Sequence, residues 1–137
     1  MSELHETDAT LRFIGEDLDP DEVTALLGQT PTHADRKGDV RILRDGSEYR
    51  ERKGSWRRTV QRRTPGDLDG QVAELLSGLT EDMAVWKTLS TRFRADVFCG
   101  LFMREGNEGI ALSPKTLEAL GLRGLTLDFD LYGPEAI

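Results

Sequence analysis

One motif occurs twice in the 137-residue chain and limits what the rest can become. Leu18-Asp19-Pro20-Asp21-Glu22-Val23-Thr24-Ala25-Leu26-Leu27-Gly28 returns as Leu112-Ser113-Pro114-Lys115-Thr116-Leu117-Glu118-Ala119-Leu120-Gly121, at an offset of 94 for most positions. Each copy spells a short helix. Asp19 and Ser113 are N-cap residues whose side-chain oxygens can accept from free first-turn amides. Pro20 and Pro114 follow at the first helical position, where a missing N–H costs nothing. Leu18 and Leu112 are placed to pack on Val23 and Leu117 as hydrophobic staples. Gly28 and Gly121 supply the left-handed residue that ends each helix. These signals specify architecture and carry no chemistry.

Between and around the two helices the period changes. Residues 1–8 are polar and are expected to fray. Residues 9–15 alternate around Leu11 and Phe13 and predict a strand. Residues 33–54 are charged and punctuated by glycine, with no sustained period, which predicts a long loop or a weak hairpin. Residues 55–61 predict a second strand, with Trp56, Arg58 and Val60 on one face. Leu68, Val72, Leu75, Leu76 and Leu79 then fall at helical spacing, and Thr80 is placed to cap a further helix through Met83, Val85, Trp86 and Leu89. The most apolar run, 96–104, reads as a buried central strand. Leu125, Leu127, Phe129 and Leu131 alternate with polar residues in a half-buried final strand. The pattern predicts an α+β fold: a mainly antiparallel sheet, helices packed on one face, and a rough internal strand–helix pseudo-repeat, in one domain over 1–137.

No apolar run approaches the roughly 20 residues that span a bilayer. The first residues lack the basic-then-apolar pattern of a secretion signal. One cysteine suits a reducing cytoplasm. The net charge of −7 hides a division: residues 36–63 hold eleven Lys/Arg against four Asp/Glu, and the remainder holds seven against 21. The first part therefore carries +7 and the second −14. Such a chain can show one basic and one acidic surface to its partners.

Taken in order, these pieces resemble a bacterial family known as domain of unknown function 4279. The similar features are the early strand, Leu18-x-Pro20 leading to Gly28-x-x-Pro31-Thr32, Lys37-Gly38 and Gly54-x-Trp56. They continue with Gly109-x-x-Leu112-Ser113-Pro114, Leu117-x-x-Leu120 and Gly124-x-x-Leu127-x-x-Asp130-Leu131-Tyr132. The resemblance spans residues 9–132. It implies a small intracellular bacterial protein and brings no activity, cofactor or site residue with it.

The candidate chemistry lies elsewhere. Arg50, Arg52, Lys53, Arg57, Arg58, Arg62 and Arg63, with Tyr49 and Trp56 interleaved, could hold phosphates and stack a base. The overall pI of about 4.9 opposes general nucleic-acid binding, and Trp56, alternating with Val60, also fits a core position. Asp128 and Asp130 share a strand face about 6.5–7 Å apart, a separation compatible with acid–base work. Alternating aspartates are also what a solvated face contains. Cys99 sits in the apolar run, where a thiol behaves as a small hydrophobe. His5 and His33 give no zinc spacing, and Asp17-x-Asp19-x-Asp21 lacks the glycine and distal glutamate of a calcium loop. No metal or cofactor is expected. The composition points to a cytoplasmic, non-catalytic binding domain whose partner is another protein. Its sharper form is an immunity-type neutraliser of a cationic toxin; nucleic-acid binding through residues 50–63 and an enzyme using Asp128/Asp130 are the competing readings, and self-association is compatible with all three.

Overall fold

The computed structural model describes residues 2–135. Its elements are β1 (Ser2–Glu3), β2 (Glu6–Gly15), α1 (Pro20–Leu27), β3 (His33–Asp35), β4 (Val40–Ile42), β5 (Glu48–Arg50), β6 (Gly54–Arg63), α2 (Leu68–Leu76), α3 (Met83–Arg92), β7 (Arg94–Phe102), β8 (Glu108–Gly109), α4 (Pro114–Leu122) and β9 (Thr126–Tyr132). Five strands form the main sheet in the order β3-β6-β2-β7-β9, antiparallel except for the parallel pair β7–β9. The fold is α+β.

Strand alternation divides the sheet into two unlike faces. Thr7, Ala9, Leu11 and Phe13 of β2 are buried, and so are Ala95, Val97, Cys99 and Leu101 of β7. The helices pack on this side, where Val23, Leu27, Leu68, Val72, Leu75, Trp86 and Leu89 complete one apolar cluster. Phe13 sits at its centre, with the Trp56 ring edge-on at 5.8 Å and the Trp86 ring tilted at 6.1 Å. Among the described residues, the other face carries no helix. Cys99 lies in the core, and burial pushes its thiol up to about 12, so no thiolate forms near neutrality.

Of the stretch 1–8 expected to fray, Met1 lies outside the described residues and residues 2–8 are held in place. Ser2–Glu3 pairs parallel with Glu108–Gly109, Leu4 is buried, and its carbonyl accepts from Gly66 N–H at 2.9 Å. One apolar side chain and paired main-chain groups hold a segment whose composition looks like a tail. Within the charged stretch 33–54, β3 joins the main sheet and β4–β5 forms a separate hairpin, leaving Val40 and Ile42 exposed. Thr80 does not cap α3; Asp82 does, accepting from Ala84 N–H, while the Thr80 carbonyl accepts from Trp86 Nε1 at 2.8 Å.

The two capped helices form as the motif predicts, with Asp19 and Ser113 as N-caps and prolines following. In each case the chain leaves one strand and arrives at a strand running the same way. The first crossover passes over β6, because β3 lies beyond it; the second lands directly beside its starting strand. The copies also differ at their ends. Gly28 closes α1 at φ 90°, whereas Gly121 stays inside α4 and Gly124 takes the left-handed position at φ 70°.

Helix α4 is also turned away from the expected staple. Leu117 is 52% exposed, and Thr116 and Leu120 are buried instead. Asp69 of α2 is the cause: its carboxylate accepts from the Ser113 N–H at 3.0 Å and from the Ser113 and Thr116 hydroxyls, which rolls the 116/120 stripe inward. The Thr116 hydroxyl and the Ser113 amide hold the Asp69 carboxyl below the ordinary carboxylate range. Leu120→Ala should therefore cost about 2–4 kcal/mol in urea unfolding, and Leu117→Ala under about 0.5 kcal/mol. The opposite order would place the helix as the staple pattern alone suggests.

Candidate functional site

The uncovered sheet face is built from the even positions of β2 and their neighbours. Pairing sets Arg12 beside Asp96 of β7, and Phe98 beside Asp128 of β9. Arg12 donates twice to Asp96, Nε to Oδ1 and Nη2 to Oδ2, each at 2.8 Å. Its guanidinium lies 4.3 Å from the Phe98 ring centre and 3.8 Å from Asp128. Arg94 closes the cluster, 3.4 Å from Asp96 and 3.5 Å from Asp128. The bidentate bond to Asp96 raises the Arg12 guanidinium above its usual value against the opposing effect of burial. Asp96 is 2% exposed, so these arginines stand where water would otherwise solvate its carboxylate.

Asp128 is thus held by two arginines, and Asp130 accepts from the Tyr132 hydroxyl. The cleft that Asp128 lines, about 240 Å³ beside Phe93 and Gly124, does not include Asp130. The pair shares a face as expected but converges on no common hollow. Among the described residues, no group of three or more His, Cys, Asp or Glu is placed to hold a metal ion.

The basic segment is split by a bulge. Thr7 pairs with Arg63 and Ala9 with Val60, so two residues of β6 stand opposite Asp8 alone. The buried Gln71 amide satisfies both loosened carbonyls, donating to Thr7 O and Gln61 O at 2.9 Å each. The extra residue sends Arg62 to the open face, over the Phe102 ring at 4.2 Å and bonded to Glu6 at 3.2 Å. Arg63 turns to the helix side and pairs with Asp67 and Glu74. Arg58 opposes Leu11 and donates to Ser77 O. Arg50 donates to Gly38 O on the hairpin. Trp56 is 0% exposed and cannot stack a base. The seven cations form no continuous face.

Three of them do converge. Arg52, Lys53 and Arg57 line a cleft of about 330 Å³ between the hairpin and the sheet, joined by Tyr49 of the same basic stretch, by His33, and by Arg41, which sequence reasoning did not single out. Arg41 and Tyr49 meet through β4–β5 pairing, and His33 and Arg57 through β3–β6 pairing. Only those registers bring them into one hollow. Gly54, at the cleft floor, admits no side chain, since a Cβ would stand 2.1 Å from the Leu18 carbonyl oxygen.

The two sheet edges differ. At one, β3 has three residues; at the other, β9 has seven. Phe129 and Leu131 point to the helix side, as the alternation predicts, yet they are 42% and 68% exposed because the sheet outruns its cover there. Tyr132 stacks on Phe102 at 4.8 Å on the open face, where Arg62 and Tyr132 wall a second cleft of about 680 Å³. No helix among the described residues is long and apolar enough to cross a membrane. A family model described as Domain of unknown function (DUF4279) matches residues 5–134. No curated protein and no solved structure matches the chain.

Proposed function

We propose, for a chain that belongs to the DUF4279 family, a binding role in which a basic segment of another protein adds to the outer edge of β9. The observation that carries this reading is a seven-residue edge strand with Phe129 and Leu131 exposed and no further strand beyond it among the described residues. Long apolar edges are aggregation hazards that folded chains usually shorten, charge or hide. The opposite edge is shortened in this way, and β9 is not. Tyr132 O accepts from Met103 N–H, so by alternation the main-chain groups of Leu127, Phe129 and Leu131 turn outward, free to pair with an added strand.

Charge selects the partner. An added strand would place alternate side chains beside Asp128 and Asp130 on the open face and beside Phe129 and Leu131 on the other. A second copy pairing antiparallel through β9 would bring its own aspartates against these, and like charges across strands repel. A segment alternating Lys or Arg with apolar residues complements both rows. A cationic toxin held at this edge is the neutraliser form of the same reading. The acidic remainder of the chain, at −14, would speed such an encounter.

The test is nuclear magnetic resonance titration with two synthetic peptides, one alternating Lys with Val and one alternating Glu with Val. The lysine peptide should shift the amides of residues 126–132 and the glutamate peptide should not. Asp130→Lys should abolish the response while leaving the urea midpoint in place. Equal response to both peptides, or response confined to other strands, would refute the proposal.

A further inference from the structure

The cleft between hairpin and sheet lies at the other end of the molecule from β9, and its charges are unbalanced. Its two carboxylates are engaged: Asp35 lies 3.0 Å from His33 Nε2 and accepts from the Ser55 hydroxyl at 3.3 Å, and Glu51 lies 3.6 Å from Arg41 Nη2. Arg52, Lys53 and Arg57 make no ion pair among the described residues, although all three line the same cleft. Arg57 Nε is buried with no hydrogen-bond partner. A buried guanidinium N–H without an acceptor is costly, and three unpaired cations around one hollow repel each other unless an anion joins them.

From this geometry we propose a second site: the cleft binds a phosphomonoester carried on a small ring-bearing molecule. A phosphomonoester is close to doubly charged at neutral pH and offers three strong acceptor oxygens. It would answer the Arg52, Lys53 and Arg57 charges together, and guanidinium forks suit phosphate oxygens in particular. At about 330 Å³ the hollow is at the small end of ligand sites. Its apolar wall is Ile14 and the Tyr49 ring, with Arg41 5.1 Å from the ring centre. That wall gives a planar group something to lie on. The proposal is independent of the β9 reading, since no residue is shared.

Adenosine 5′-monophosphate, inorganic phosphate and adenosine are the probes, followed by amide shifts and by calorimetry at physiological salt. The monophosphate should shift amides within residues 33–57 and leave β9 unmoved. Arg52→Ala with Lys53→Ala, both exposed, should weaken binding by about tenfold or more, the loss of charge-assisted hydrogen bonds, at an unchanged urea midpoint. Inorganic phosphate should bind more weakly than the monophosphate, the difference coming from the Tyr49 wall, and equally tight binding would overturn the ring-bearing ligand. The proposal fails if neither phosphate compound moves these amides at millimolar concentration. It also fails if adenosine binds equally well, if the double variant binds undiminished, or if an oligonucleotide without terminal phosphate binds more tightly than the monophosphate.

Discussion

Trp56→Ala should destabilise the protein by about 3–5 kcal/mol, the range for removing a large buried aromatic. Trp56 has no exposed surface, packs edge-on against Phe13 and donates from Nε1 to the Thr24 hydroxyl at 3.1 Å. One side chain thus ties β6 to the central strand and to α1. Trp56→Phe keeps most of the apolar contact and loses the hydrogen bond, so about 1–2 kcal/mol is expected for it. Urea unfolding followed by far-ultraviolet circular dichroism would measure both. A domain of this kind has about 5–15 kcal/mol in total, so the alanine variant sits near the edge of folding. A loss below about 1 kcal/mol would mean that Trp56 belongs to a surface after all.

Arg12→Ala acts on the opposite face by a different mechanism, at a similar expected cost of about 3–5 kcal/mol. The damage comes from what is left behind. Asp96 stays buried at 2% exposure with Arg94 as its nearest remaining cation at 3.4 Å. Removing both partners should be gentler than removing one, because two apolar side chains of similar size strand no charge. Arg12→Met with Asp96→Leu should therefore recover most of the loss in the same urea experiment. If the double variant were as unstable as the single, the contact between Arg12 and the Phe98 ring would outweigh the ion pair.

The parts of this fold that local chemistry dictates were legible in the residues. The caps at Asp19 and Ser113, the strand around Leu11 and Phe13, and the amphipathic run from Leu68 follow from spacing alone, and the α+β class follows from them. The parts set by pairing were not. Nothing local marks Leu4 as an anchor, because its partners Gly66 and Gly109 are far away in sequence. Period-two reasoning places Arg62 on the helix side, and the bulge opposite Asp8 reverses it. Leu117 and Leu120 are equally apolar, and only the grip of Asp69 on Ser113 and Thr116 chooses between them. The candidate sites depend most on pairing. Arg52, Lys53 and Arg57 were visible as a basic stretch, but Arg41, His33 and Tyr49 reach the same cleft through two separate strand registers. Phe129 and Leu131 obey the alternation and still face water, since burial depends on what lies above the strand.

The position of β2 has a consequence in time. The strand lies third of five in the sheet, between β6 and β7, and precedes both of them in the chain. Its second flank stays open until Arg94–Phe102 has been synthesised. At roughly 5–20 residues per second, the ribosome takes on the order of 4–16 s to cover that interval. For those seconds Ala9, Leu11 and Phe13 form an apolar strand without its full set of neighbours, at risk of pairing with any other open strand nearby. A messenger translated slowly between residues 16 and 93 would lengthen that exposure, and more of the nascent protein would be lost to aggregation.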